Sequence, residues 1–212
     1  MIAKPKKRIY FLPMIKNDHR FPDQFGFITS PLIGSCGSAI SRIRKGYPWI
    51  CDNGAFKDNF DPDLFFDFLQ GLRSHQESCL FAVCPDKYLQ ADKTLEMFDQ
   101  YAPRIREMGF PVAFVAQDGQ ENLPFPDSFD ALFVGGSDPW KMSPKGSRII
   151  KQAQKLGKWI HIGRVNSRKR IRYFSLLNVD SFDGTHIIYS PDKNRKYLIK
   201  WMSESNHPLF YI

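Results

Sequence analysis

Short apolar runs recur along the chain, and each stops on polar residues or glycine. The run at 8–15 ends in polar residues, and 49–51 runs into Asp52-Asn53-Gly54. The run at 79–84 closes on Pro85-Asp86, and 111–116 on Gln117-Asp118-Gly119. The run at 131–134 ends at Gly135-Gly136-Ser137, 159–162 at Gly163-Arg164, and 179–182 at Asp183-Gly184. Between these runs the apolar period changes to that of a helix. In 61–74, Leu64, Phe65, Phe68, Leu69 and Leu72 fall on one face, and Asp61-Pro62 suits a helix start. In 91–108, Leu95, Phe98, Ala102 and Ile105 do the same, with a kink expected at Pro103. Further helices are expected over 147–156, 168–177 and 195–204. Buried strands alternating with helices require a parallel sheet covered on both faces. Seven or eight such units point to a compact α/β barrel of the (β/α)8 type, with an open doubly wound sheet as runner-up. No strand is followed by Gly-x-Gly-x-x-Gly or Gly-x-x-x-x-Gly-Lys, so dinucleotide and nucleoside triphosphate chemistry has no support.

At 212 residues the chain suits one domain, spanning 1–212, and 19 Phe supply ample core. No apolar run approaches the roughly 20 residues of a membrane helix. The apolar stretch after the basic N-terminus stops at Lys16 without a small-residue cleavage site. A secretory signal is therefore not expected, and the expected compartment is the cytoplasm. Cys36, Cys51, Cys79 and Cys84 lie 15, 28 and 5 residues apart, with no Cys-x-x-Cys pair. They read as reduced core cysteines, and no metal site is expected.

The charge is segregated. Residues 50–140 carry six basic and sixteen acidic side chains, whereas 141–200 carry fifteen and three, a local +12. A basic third on an otherwise acidic body favours a surface that faces a polyanion over ordinary solvated helix faces.

In a barrel the ends of the apolar runs share one rim, where chemistry is done. Asp52, Asp86, Gln117, Gly135, Gly136, Gly163, Arg164 and Asp183 would converge there. Any one of them could be a cap or turn residue. Together they suit a flat ligand rich in donors and acceptors, such as a purine. Carboxylates accept from ring N–H and amine groups, an amide does both, and glycine lets a backbone N–H approach closely. Two carboxylates flanking one bond can also cleave a glycosidic linkage. His161, inside an apolar run, reads as a core or hydrogen-bonded histidine. Phe125, Phe129 and Trp140 read as core before they read as stacking platforms.

These residues resemble the tRNA-guanine transglycosylase superfamily. Cys51-Asp52-Asn53-Gly54-Ala55-Phe56-Lys57 is similar to its Asp-Ser-Gly-Gly-Phe-Gln segment. Val179-Asp180-Ser181-Phe182-Asp183-Gly184-Thr185 is similar to its nucleophile segment, Val-Asp-Met-Phe-Asp-Cys. Asp86 falls where the family has a base-recognising Asp, Gln117 and Gly119 match its Gln-Gly, and Gly135-Gly136 its Gly-Gly loop. The order holds across about residues 49–188. The chain departs from the tRNA enzymes in lacking a Cys-x-Cys-x-x-Cys…His zinc subdomain, in Lys57 for Gln, and in Gly184-Thr185 for Cys-Val. This compact form resembles the bacterial and phage branch that places 7-deazaguanines in DNA.

The resemblance implies a TIM-like barrel without the zinc subdomain and a base exchange without cofactor. Asp183 would be the nucleophile and Asp52 the proton carrier. Asp180 is a rival three residues earlier, but Asp183 alone aligns with the family position. Asp86, Gln117 and Gly136 would hold the base, with Gly135, Gly163 and Arg164 around it. The partners would be DNA, with tRNA as the alternative, and a free base such as 7-cyano-7-deazaguanine. A homodimer or a helper protein fits equally, and a non-catalytic nucleic-acid-binding barrel remains the contrasting reading. A base inside a duplex is inaccessible, so its nucleotide must be flipped out. Lys141, Lys145, Arg148, Arg168, Lys169, Arg170, Arg172, Lys193, Arg195 and Lys196 are the candidate phosphate contacts.

Overall fold

In the computed structural model the described residues are 2–13, 21–31, 37–55 and 60–207, with side chains left aside at 37–40. Cys36, Phe56 and Lys57 lie outside them. Eight parallel strands close into a barrel in sequence order, with β8 paired back to β1. They are β1 (Ile9–Leu12), β2 (Phe25–Thr29), β3 (Trp49–Cys51), β4 (Cys79–Val83), β5 (Val112–Ala116), β6 (Ala131–Val134), β7 (Trp159–Ile162) and β8 (Ser181–Asp183). The helices are α1 (Gly37–Arg44), α2 (Pro62–Leu72), α3 (Ala91–Glu107), α4 (Asp138–Lys141), α5 (Pro144–Lys155), α6 (Arg168–Leu176) and α7 (Pro191–Ser205). The expected barrel is the observed one, and the open sheet is excluded by the β1–β8 pairing.

Two cores follow from the period of two along each strand. Ala113 and Val115 of β5 face the barrel axis with Phe11, Ile28, Ile50, Phe81, Val83, Ala131 and Trp159. Val112, Phe114 and Ala116 face outward, against Phe98 and Ile105 of α3. The helices begin where their residues satisfy the first N–H groups. Asp61 accepts from Leu64 N, Ser143 from Lys145 and Gly146 N, and Ser167 from Arg170 N. Pro103 lies inside α3, which continues past it to Glu107.

Strand β2 and helices α1 and α4 are additions to the elements expected from sequence. Gly26 sits inside the continuous strand β2, opposite Phe11, because a Cβ there would stand 2.5 Å from the Phe11 ring. Among the described residues no helix is long and apolar enough to cross a membrane.

Candidate active site

Continuing the inward parity of each strand by one step reaches the barrel mouth. Ile50 is followed by Asp52, Val115 by Gln117, His161 by Gly163 and Ser181 by Asp183. The strand-end residues therefore converge because they share the phase of the inner core, at the face from which the helices depart.

Asp183 is 9% exposed and held on both oxygens. Oδ2 lies 2.9 Å from His161 Nε2, and Oδ1 accepts from Arg164 N at 3.1 Å. The β7–α6 turn makes the second bond possible by placing Arg164 at φ +61°, in the left-handed region where a side chain costs energy. Lys141 and Arg170 brace that turn. Lys141 Nζ donates to Gly163 O at 2.8 Å and pairs with Asp138 at 3.3 Å, while Arg170 donates to Arg164 O at 3.2 Å.

Across the mouth, Asp52 Oδ1 accepts from Gly54 N at 2.8 Å. Burial, reinforced by the charges of Asp183 and Asp86, pushes the Asp52 carboxyl up to about 6, against the pull of the Gly54 hydrogen bond and Arg164. Asp86 accepts from Asn53 Nδ2 at 2.8 Å and from Gln117 Nε2 at 2.7 Å. Burial raises its pKa too, and these two amides and Arg164 oppose the shift. The Arg164 guanidinium stands 5.6 Å from the centroid of the Tyr88 ring. Among the described residues no three His, Cys, Asp or Glu converge as a metal site.

Several expected roles change with the geometry. Gln117 is 2% exposed, and its Oε1 already accepts from Leu89 N and Gly136 N, each at 3.1 Å. It retains one amide hydrogen for a ligand, so its principal role is to bracket Asp86. Gly135, Gly136 and Gly163 offer no open N–H, because these donate to Ala116 O, Gln117 Oε1 and Val134 O. They are glycines for space. A Cβ at Gly136 would meet the Trp140 ring at 2.6 Å, and one at Gly163 the Phe133 ring at 2.7 Å. Asp180 points away from the mouth; it pairs with Lys4 and accepts from Ile160 N, which removes it as a rival to Asp183. Phe129 and Trp140 are core, with Phe125 packed against them.

The basic residues divide by height. Helices depart from the mouth, so their first turns lie nearest the site. Lys145, Arg168, Lys169, Arg170 and Lys193 lie in first turns, and Arg148, Arg172, Arg195 and Lys196 one turn further on. Lys141 is corrected outright: at 2% exposure its ammonium is buried under the β7–α6 turn and touches no polyanion. Burial pushes its pKa down, opposed by Asp138 and Asp183. Lys145 pairs with Glu121 at 2.7 Å, Arg168 with Glu204 at 2.7 Å and Arg170 with Asp138. Lys169, Arg148, Arg172, Lys193 and Lys196 are exposed, and Arg195 is half-buried.

His161 is the core, hydrogen-bonded histidine expected from sequence, and its contact with Asp183 is what the sequence did not reveal. Its signal is its inward phase, two residues before Gly163 and beside Ser181 in the β7–β8 register. Phe133, partly exposed with its ring 4.6 Å from that of His161, was missed as well.

No family model and no curated protein matches the sequence. Solved structures match the fold. A ligand-free tryptophan synthase from M. tuberculosis gives a TM-score of 0.52 at 10% identity, over 95% of this chain and 92% of its own. A malate synthase from Haloferax volcanii, in complex with lead(II), gives 0.51 at 8% identity, over 96% and 73%. At these identities the likeness is one of fold, the closed eight-stranded α/β barrel.

Proposed function

We propose that the chain is a base-exchange glycosyltransferase that replaces guanine in DNA with a 7-deazaguanine. Both solved counterparts are enzymes by name, which is consistent with catalysis on this fold. The observation that carries the reading is the contrast between two carboxylates at one mouth. Asp183 is held by two donors as an anion-accepting arrangement requires, while Asp52 is tuned to about 6. In this reading Asp183, held on both oxygens, is the nucleophile, and Asp52, whose carboxyl is pushed up to about 6, is the acid and base.

In the first half, an Asp183 oxygen bonds to C1′ of a flipped deoxyguanosine as the C1′–N9 bond breaks. The electron pair leaves with guanine, which takes the proton from Asp52. In the second half, the incoming deazaguanine gives its N9 proton to Asp52, N9 attacks C1′, and the ester to Asp183 breaks. Each step exchanges one C1′ bond for another, so no external energy source and no cofactor is needed. Asp86 and the one remaining Gln117 N–H face the hydrogen-bonding edge of the base.

The nucleic-acid partner rests on the basic helices. The first turn of α6 holds Arg168, Lys169 and Arg170 and no acid, the wrong sign for a helix N-terminus in isolation. Cations at that end suit a surface facing phosphates.

Incorporation of radiolabelled guanine into DNA and, in parallel, into tRNA tests the proposal, with wild type and Asp183→Ala. Label in DNA alone, abolished by the substitution, is the expected result. Label in tRNA keeps the chemistry and changes the substrate. Abasic sites without label make the chain a hydrolase, and binding without either product makes it a nucleic-acid-binding barrel.

A further inference from the structure

Beneath Asp183 a file of buried polar groups runs down the barrel interior, unused by the reaction above. Trp159 Nε1 lies 2.7 Å from Ser181 Oγ, Ser181 Oγ 2.9 Å from His161 Nδ1, and His161 Nε2 2.9 Å from Asp183 Oδ2. Trp159, Ser181 and His161 are each at most 1% exposed. Polar groups buried this deeply need partners, and here donor identity sets the direction.

An indole N–H only donates, so Ser181 Oγ accepts from Trp159. The hydroxyl hydrogen then has one acceptor among its two neighbours, His161 Nδ1. With Nδ1 accepting, the imidazole hydrogen sits on Nε2 and points at Asp183. The opposite polarity, Nδ1–H donating to Ser181, would leave the hydroxyl hydrogen with no acceptor. The other groups packed on the ring are Phe11 of β1, Phe81 of β4 and Phe133 of β6, at centroid distances of 5.8, 5.6 and 4.6 Å. Among the described residues, Asp183 is the charged group in hydrogen-bond contact with it.

We infer that Trp159, Ser181 and His161 form a one-way hydrogen-bond relay that locks His161 as the neutral Nε2–H tautomer. The relay makes His161 a positioning residue for the Asp183 carboxylate. Its catalytic consequence rests on the base-exchange reading; its hydrogen-bond polarity does not. A neutral donor orients the carboxylate without the full charge pairing of an imidazolium, which would blunt a nucleophile. With one bond from His161 and one from Arg164, each oxygen keeps a lone pair free for C1′.

The test is ¹⁵N NMR of the full chain with labelled histidine, His161 being assigned by its loss in His161→Gln. The expected spectrum has a protonated Nε2 and an unprotonated Nδ1 at neutral pH. Ser181→Ala, which removes the donor to Nδ1, is expected to leave the hydrogen on Nε2 against Asp183 and to move the Nδ1 resonance toward that of a nitrogen without a hydrogen bond. In base exchange, His161→Gln keeps an N–H near the position of Nε2 and is expected to retain most of kcat. His161→Leu is expected to lose about tenfold or more in kcat with little change in KM, as removal of a supporting hydrogen bond does. An imidazolium, an Nδ1–H tautomer, or an Nδ1 resonance unchanged in Ser181→Ala would overturn the relay. Equal losses in the Gln and Leu variants would overturn the positioning role. A wild type with no exchange activity but the predicted spectrum would retain the relay and remove the reaction, so the two ideas fail separately.

Discussion

The two sides of the barrel mouth treat their carboxylates in opposite ways. On the β3–β5 side, Asp52 and Asp86 are half-buried and held by the neutral donors Gly54 N, Asn53 and Gln117, and desolvation raises both pKa values. On the β7–β8 side, Asp183 meets donors from His161 and the Arg164 backbone, with the Lys141 ammonium buried close by. One side raises the proton affinity of its carboxyls and the other orients Asp183 by contacts to both of its oxygens. On the first side the rise comes from burial, which its backbone and amide donors oppose, whereas Asp183 is oriented by its two contacts.

Removing either side's acid breaks the comparison, and the larger effect is expected at Asp183, the proposed nucleophile. Asp183→Asn is expected to lower kcat by about 10⁴ or more, by analogy with other nucleophile deletions, with the melting temperature within a few degrees of wild type. Single-turnover exchange and thermal denaturation check this. Asp52→Asn is expected to cost about 10²–10⁴ in kcat, the usual worth of a general acid or base.

The pH dependence sharpens the comparison. In the proposed exchange Asp52 is protonated when guanine leaves, so first-half turnover is expected to fall as pH rises through about 6, and Asp52→Asn to flatten that limb. Stability follows the same group. A carboxyl raised in the folded state binds its proton more tightly there than in the unfolded chain. Its stabilising contribution is present below the unfolded value near 4 and is lost as pH rises through about 6. Asp52→Asn is therefore expected to stabilise the protein at pH 7, on the order of 1–3 kcal/mol, and to have little effect at pH 4, measured by urea unfolding at both pH values.

Arg164 links the two sides. Its charge draws Asp52 downward, so Arg164→Ala is expected to move the acid limb to higher pH and Arg164→Lys to leave it nearly in place. The smallest effects are on the outer helices. Lys169→Ala and Lys193→Ala are each expected to weaken DNA binding a few-fold and reduce the salt slope by about one per lost phosphate contact.

The same contrast explains what could be read from sequence. Strands such as Ala131–Val134 and Trp159–Ile162 are legible at their observed bounds because fully buried parallel strands are unbroken apolar runs. β2 is not legible, because Gly26 serves a contact with Phe11 on another strand. The acids are legible because they end apolar runs. Their partners are harder to see. His161 looks like core until the β7–β8 register sets it against Ser181 and Asp183. Lys141 looks like a surface cation in a basic stretch until the short α4 turns it under Gly163. Glycines after strands suggest open N–H groups, and only the contacts show that Gly136 and Gly163 make room for rings.

The most direct test of the central claim is a search for the covalent intermediate. A guanine-containing DNA duplex is incubated with the protein in the absence of free base, quenched with denaturant, digested, and mapped by mass spectrometry. A deoxyribosyl adduct on the peptide containing Asp183, lost in Asp183→Asn and discharged by added deazaguanine, is the predicted result. Exchange proceeding with no adduct, or with the adduct on Asp52 or Asp86, would contradict the account.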